Sequence, residues 1–90
     1  MIPTGKTRCY RFSTPDQVTS FNIPSDISWC ILKNTSLTIS VKFNFDSDAA
    51  GDYYTLDPGE VSHAFCVYGG KTLNTDGVGG SSNLEVIAWG

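Results

Sequence analysis

The sequence predicts an all-β fold: an antiparallel β-sandwich, jelly-roll-like or immunoglobulin-like, of about seven or eight short strands. Three observations predict it. Apolar and polar residues alternate with period two through every long patterned segment. Turn-forming residues recur every ~8–12 positions. No helical period extends over three turns.

The clearest strand is 37–45, where Leu37, Ile39, Val41, Phe43 and Phe45 share one face and Thr38, Ser40, Lys42 and Asn44 the other. A polar loop over 46–52 leads to a returning strand at 53–56, which makes a β-hairpin. Asp57, Pro58, Gly59 and Glu60 then form a turn, because Pro presets φ and Gly accepts φ > 0.

Residues 1–5 contain Pro3 and Gly5 and are expected to be a loose arm on a single domain spanning 1–90. Strand one is expected at 6–13, with Arg8, Tyr10 and Phe12 facing opposite to Cys9 and Arg11. Strand two follows at 17–23, ended by Pro24. Strand three covers 27–33, where Trp29, Cys30, Ile31 and Leu32 are apolar on both faces, as in a strand covered on both sides. Beyond the turn at 57–60, 61–68 reads as a strand with Val61, His63, Phe65 and Val67 on one face. A short extended piece at 71–74, a Gly/Ser-rich loop at 76–82 and a last strand at 83–89 complete the chain. In that last strand Leu84, Val86 and Ala88 oppose Glu85, Ile87 and Trp89.

A 90-residue chain buries only about two-thirds of its unfolded surface, so oligomerisation would help a thin core. Charged residues are 17% against the usual quarter, which points to neutral surface covered by a partner. A net charge of −3 without a basic run argues against a dedicated nucleic-acid binder. No apolar run approaches the ~20 residues of a membrane span, and the first residues lack the apolar core of a signal peptide. Cys9, Cys30 and Cys66 are an odd set without metal or redox spacing. They are expected to be reduced, mostly buried and free of disulfides, in a chain made in a cytosol.

Few residues suggest chemistry. Asp46, Asp48, Gly51, Asp52 and Asp57 partly match a calcium loop. Ala50 stands where an oxygen ligand is required, Asp57 stands where the bidentate Glu belongs, and strands replace the flanking helices. A solvated hairpin loop accounts for these acids, and Asp46, Asp48, Asp52 and Asp57 are kept only as a weak calcium candidate. His63, the one histidine, has no evident carboxylate or nucleophile partner and reads as structural. Trp29, Tyr53, Tyr54, Tyr68 and Trp89 suit either a sugar platform or, better, core and subunit interface, being scattered over several strands. No cofactor and no catalytic residue is expected.

The second half resembles a small β-sandwich pattern in structural proteins of tailed bacteriophages. The segments that carry the resemblance are 31–36 (Ile-Leu-Lys-Asn-Thr-Ser), 41–46 (Val-Lys-Phe-Asn-Phe-Asp), 54–60 (Tyr-Thr-Leu-Asp-Pro-Gly-Glu) and 82–90, which ends Trp-Gly. The resemblance implies a capsid decoration (cement) protein or a minor head or tail component, with the major capsid or tail protein as partner. It also implies localisation in the virion after synthesis in the host cytoplasm. The alternative is a small carbohydrate-binding module of a host-recognition structure.

A two-layer sandwich buries one face of each sheet. Strand three and the last strand are apolar on both faces, so Trp29, Ile31, Ile87 and Trp89 are the expected interface residues, in a chain expected to form a homo-oligomer.

Overall fold

Alternation along each strand gives every sheet one apolar face, and two such faces closed on one another form the core of this protein. A computed structural model describes residues 7–45, 53–67 and 70–90. The expected arm at 1–5, the acids Asp46, Asp48 and Asp52, and Tyr68 lie outside the described residues. Among those described there is no helix. The strands are β1 (Arg8–Thr14), β2 (Thr19–Asn22), β3 (Trp29–Asn34), β4 (Val41–Phe45), β5 (Tyr54–Leu56), β6 (Phe65–Cys66), β7 (Thr72–Gly77) and β8 (Ser82–Trp89).

They form two four-stranded antiparallel sheets, ordered β1-β8-β3-β6 and β2-β7-β4-β5. Each strand pairs with its counterpart from the other end of the chain: β4 with β5, β3 with β6, β2 with β7, β1 with β8. One long hairpin has thus been wrapped into two layers, which is the jelly-roll arrangement rather than the immunoglobulin-like one.

The core holds Ile23, Ile27, Cys30, Leu32, Phe43, Leu56, Val67, Leu73, Leu84, Val86 and Ala88. The inward row of β8 is the expected one, with Leu84, Val86 and Ala88 all buried. Aromatic rings close the two open sides of the sandwich. Tyr10 and Phe12 meet Phe21 with ring centroids 5.1 Å apart where β1 faces β2. Phe43, Phe45, Tyr54 and Phe65 cluster on the other side, beside β5 and β6.

The hairpin of β4 and β5 is present, with Val41 opposite Leu56 and Phe43 opposite Tyr54. Its turn is present too: the Glu60 amide donates to the Asp57 carbonyl at 2.9 Å, and Gly59 takes a φ of 76°. Glu60 Oε1 accepts from the Asp57 amide at 2.8 Å, which closes the turn from both ends.

Four expectations are corrected. The strand expected at 37–45 begins only at Val41, and Leu37 is 89% exposed. Side chains have taken over the ladder there. Ser36 Oγ accepts from the amides of Thr38 and Ile39, and Asn34 Nδ2 donates to the Ile39 carbonyl at 2.7 Å. Local bonds of this kind offer the backbone an alternative to a sheet.

The strand expected at 61–68 shrinks to an isolated bridge at Val61 and the pair Phe65–Cys66. Ser62 Oγ accepts from the Leu32 amide at 2.9 Å and donates to the His63 carbonyl, so a side chain stands in for a backbone partner. Val61 and His63 are exposed in consequence, while Val67 is buried.

The piece expected at 71–74 runs on to Gly77, whose amide bonds the Pro15 carbonyl at 2.9 Å. A Cβ at 77 would collide with the carbonyl oxygens of Gly80 and Thr14, so glycine here reflects a close backbone approach and not a loop.

Asn44, assigned to solvent by alternation, is buried, and Asn74 Nδ2 donates to its Oδ1 at 3.0 Å. Ser20 donates in turn to Asn74 Oδ1 at 2.7 Å.

Candidate functional site

The outer face of sheet β1-β8-β3-β6 is set by parity. Cys30 and Leu32 point into the core, so Trp29, Ile31 and Lys33 point out; Leu84, Val86 and Ala88 point in, so Glu85, Ile87 and Trp89 point out. The register then stacks these residues in level rows. Trp29 lies opposite Trp89, Ile31 opposite Ile87, and Lys33 opposite Glu85. The four residues expected at an interface are therefore neighbours on two adjacent rows.

The rows extend to the sheet edges. Cys9 of β1 lies opposite Ile87, and Cys66 of β6 lies opposite Trp29. Arg11 lies opposite Glu85, and its Nε meets Glu85 Oε2 at 2.8 Å. One end of the face is thus apolar, with two tryptophans and two isoleucines. Next to it runs a single row of charges in the order Arg11, Glu85, Lys33, and the exposed Ser13 and Asn83 stand beyond that row. Ile87 is 42% exposed, and Trp29, Ile31 and Trp89 are half-buried by their neighbours. Below the face, Arg8 makes a two-pronged ion pair with Asp26. The hydrogen bond from Arg8 holds the exposed Asp26 carboxyl below its ordinary range.

The thiols correct an expectation. Only Cys30 is buried; Cys9 and Cys66 are exposed because both fall on outward positions. Burial pushes the Cys30 thiol up to about 12, which keeps it protonated and inert. Cys9 and Cys66 sit on opposite edges of a four-stranded sheet, at least ~14 Å apart from strand spacing alone. A disulfide requires Cα atoms within ~7 Å, so these two cannot join within one chain. Iodoacetamide applied to the native protein is therefore expected to modify Cys9 and Cys66 and to spare Cys30 until denaturant is added. Mass spectrometry reads the result, and rapid labelling of Cys30 would contradict its burial.

A second feature is a cleft of about 250 Å³ between the β5 and β6 edges. Phe43, Tyr54, Thr55, Glu60, His63 and Phe65 are among the residues that line it. His63 packs on Phe65 with centroids 4.3 Å apart. The imidazole is thus placed against an aromatic ring, as suits a packing role. The described members of the aromatic set weighed as a sugar platform are divided between the two sheets. Trp29 and Trp89 are on the outer face of one sheet, and Tyr54 is on the edge strand of the other. The cleft was not legible in the sequence, because it joins residues of 43–65 from two different sheets.

Of the acids weighed for calcium, Asp57 alone is described, and its carbonyl and amide are engaged in the turn. Among the described residues no group of three or more His, Cys, Asp or Glu side chains is arranged to hold a metal ion. Among the same residues no helix is long and apolar enough to cross a membrane. Compared with known proteins, the chain matches no family model and no curated protein.

Proposed function

We propose that this chain is a structural component of a tailed-bacteriophage virion, docked on the capsid or tail surface as a decoration or minor structural protein. The observation that carries the reading is the outer sheet face, where Trp29, Trp89, Ile31 and Ile87 stand in two registered rows with one row of charge beside them. A contiguous apolar patch on a small subunit marks an interaction site. The wrapped two-sheet architecture supports the reading as well, since viral capsid domains are among the common uses of jelly rolls. It supports it only as an analogy, because one fold hosts many functions.

The mechanism is burial of apolar surface rather than ion pairing. Docking should therefore survive high salt, which screens exposed charges and leaves hydrophobic burial intact. Co-sedimentation with heads and tails of the phage that encodes the chain is the test, at low and high salt. Binding is expected to persist at both and to fall by at least ~10-fold for Ile87→Asp, at the exposed centre of the patch. A protein that ignores both particles would overturn the reading.

The cleft favours a second reading, a carbohydrate-binding module. Tyr54 and Phe65 offer ring surface, and Glu60 and Thr55 offer groups for hydroxyls. Retention on a glycan column, lost with Tyr54→Ala, would favour it over particle docking.

A further inference from the structure

We propose that the outer face of sheet β1-β8-β3-β6 packs against the same face of a second copy, about a two-fold axis that runs along the strands midway between β8 and β3. The inference rests on the reading of this face as an interface. It does not depend on the virion: the second copy covers the face in free chains, and a particle that docks there displaces it.

A two-fold axis lying between two stacked sheets and parallel to their strands keeps every row at its own level and exchanges the columns. The columns run β1, β8, β3, β6, so β8 of one copy covers β3 of the other. The registered pairs then dictate the contacts. Trp89 lies over the partner's Trp29, and Ile87 lies over the partner's Ile31. Glu85 lies over the partner's Lys33. Each contact occurs twice. Apolar residues meet apolar residues, and the charged row meets itself with opposite signs in contact. The aligned stacking of sheets in natural sandwiches has this geometry, at a spacing of ~10 Å.

The competing axis, across the strands, does worse. Centred on the isoleucine row, it sets Trp89 over the partner's Glu85 and Trp29 over the partner's Lys33 and strips water from those charges. Shifted to match the apolar rows with each other, it slides the charged row off the partner and shrinks the overlap. Only the axis along the strands uses the whole face.

Size fits a weak dimer. Four strands at ~4.8 Å give a width of about 19 Å, and the seven registered pairs of β1 and β8 at ~3.3 Å give a length of about 23 Å. Two such faces cover roughly 900 Å² in flat projection, below the ~1,200 Å² at which stable specific interfaces begin and in the range of weak, transient ones. Self-association should therefore be concentration-dependent in the micromolar-to-millimolar range.

Charge exchange between copies tests this without relying on folding alone. Glu85→Lys puts like charges at both crossings of its own dimer, and Lys33→Glu does the same with the opposite sign. Sedimentation equilibrium is expected to show each single variant associating ~10-fold or more weakly than the parent. An equimolar mixture of the two variants restores opposite charges at both crossings and is expected to form a heterodimer at parental strength. Matching circular dichroism spectra confirm that both variants fold. A parent chain that stays monomeric at millimolar concentration would overturn the proposal, as would variants that fail to pair when mixed.

Orientation has its own readout. The proposed axis brings β1 over the partner's β6, which leaves Cys9 about 12 Å from the partner's Cys66 (two residues along the strand, one sheet spacing across). A flexible bismaleimide should join these two, and peptide mapping that finds Cys9 joined to Cys9 instead would overturn the axis. Particle docking is measured separately, so a dimer that ignores phage particles defeats the virion reading and leaves this one intact.

Discussion

Phe43→Ala is expected to destabilise the fold by about 3–5 kcal/mol, the range for truncating a buried Phe. Phe43 is 1% exposed and occupies the middle of β4, between β7 and β5. Its ring stacks on Tyr54 at 5.4 Å and meets the edges of Phe45 and Phe65 at 6.0 and 5.6 Å. Removing it takes the centre from the aromatic cluster that closes one side of the sandwich. The remaining rings are anchored on three other positions of two sheets, so they cannot all collapse into the gap, and a cavity persists. The neighbouring Lys42 is exposed, and Lys42→Ala is expected to change stability by less than about 0.5 kcal/mol. Urea titrations of both variants check the contrast. A costlier Lys42 substitution would mean that β4 faces the other way.

Asn34→Ala is expected to cost about 3–4 kcal/mol, as much as a large core truncation, although Asn34 is polar. The residue is fully buried at the end of β3. Its Nδ2 donates to the carbonyls of Ile39, Leu56 and Asp57 at 2.7, 3.1 and 3.3 Å. Its Oδ1 accepts from the Ser36 amide at 3.1 Å and from Ser82 Oγ at 2.5 Å. One side chain therefore ties the end of β3 to the turn before β4, the end of β5 and the start of β8, joining both sheets. Alanine leaves several buried polar groups without partners, and each such group costs about 1–3 kcal/mol. Not all of them stay dry, so the costs do not simply add. Thr35→Ala removes only an exposed bond to the Asn83 carbonyl and should cost under about 1 kcal/mol. Thermal and urea unfolding of the two variants measure the difference. A cost below 1 kcal/mol for Asn34→Ala would show that the network is not what joins the layers. For a domain of this size, either large loss is a sizeable share of a total stability of about 5–15 kcal/mol.

These two residues also mark the boundary between what could be read from the chain and what could not. Phe43 was legible: strict alternation over 41–43 places its ring inside, and the hairpin turn at 57–60 is written in Pro58 and Gly59. The inward row of β8 was legible for the same reason, as were Trp29, Ile31, Ile87 and Trp89 as surplus apolar residues. Alternation is a local property of an extended backbone, so it needs no knowledge of the partner strand.

Asn34 was read only as part of a turn. Its importance comes from carbonyls at 39, 56 and 57 and a hydroxyl at 82, positions that come together only after the sheets have stacked. The same cause shortened the strands expected at 37–45 and 61–68, where Asn34, Ser36 and Ser62 satisfy backbone groups that period-two reasoning assigns to a ladder. Asn44 was misplaced because its partner, Asn74, lies on β7, thirty residues along the chain.

The candidate interface divides in the same way. The amino-acid sequence by itself determined that the protein is built from antiparallel strands, and that four large apolar side chains exceed what one core can take. Only the tertiary structure decided that those four stand in level rows beside a row of alternating charge. Register between β3 and β8 depends on pairing residues about fifty to sixty positions apart, and no local pattern encodes which residue will face which.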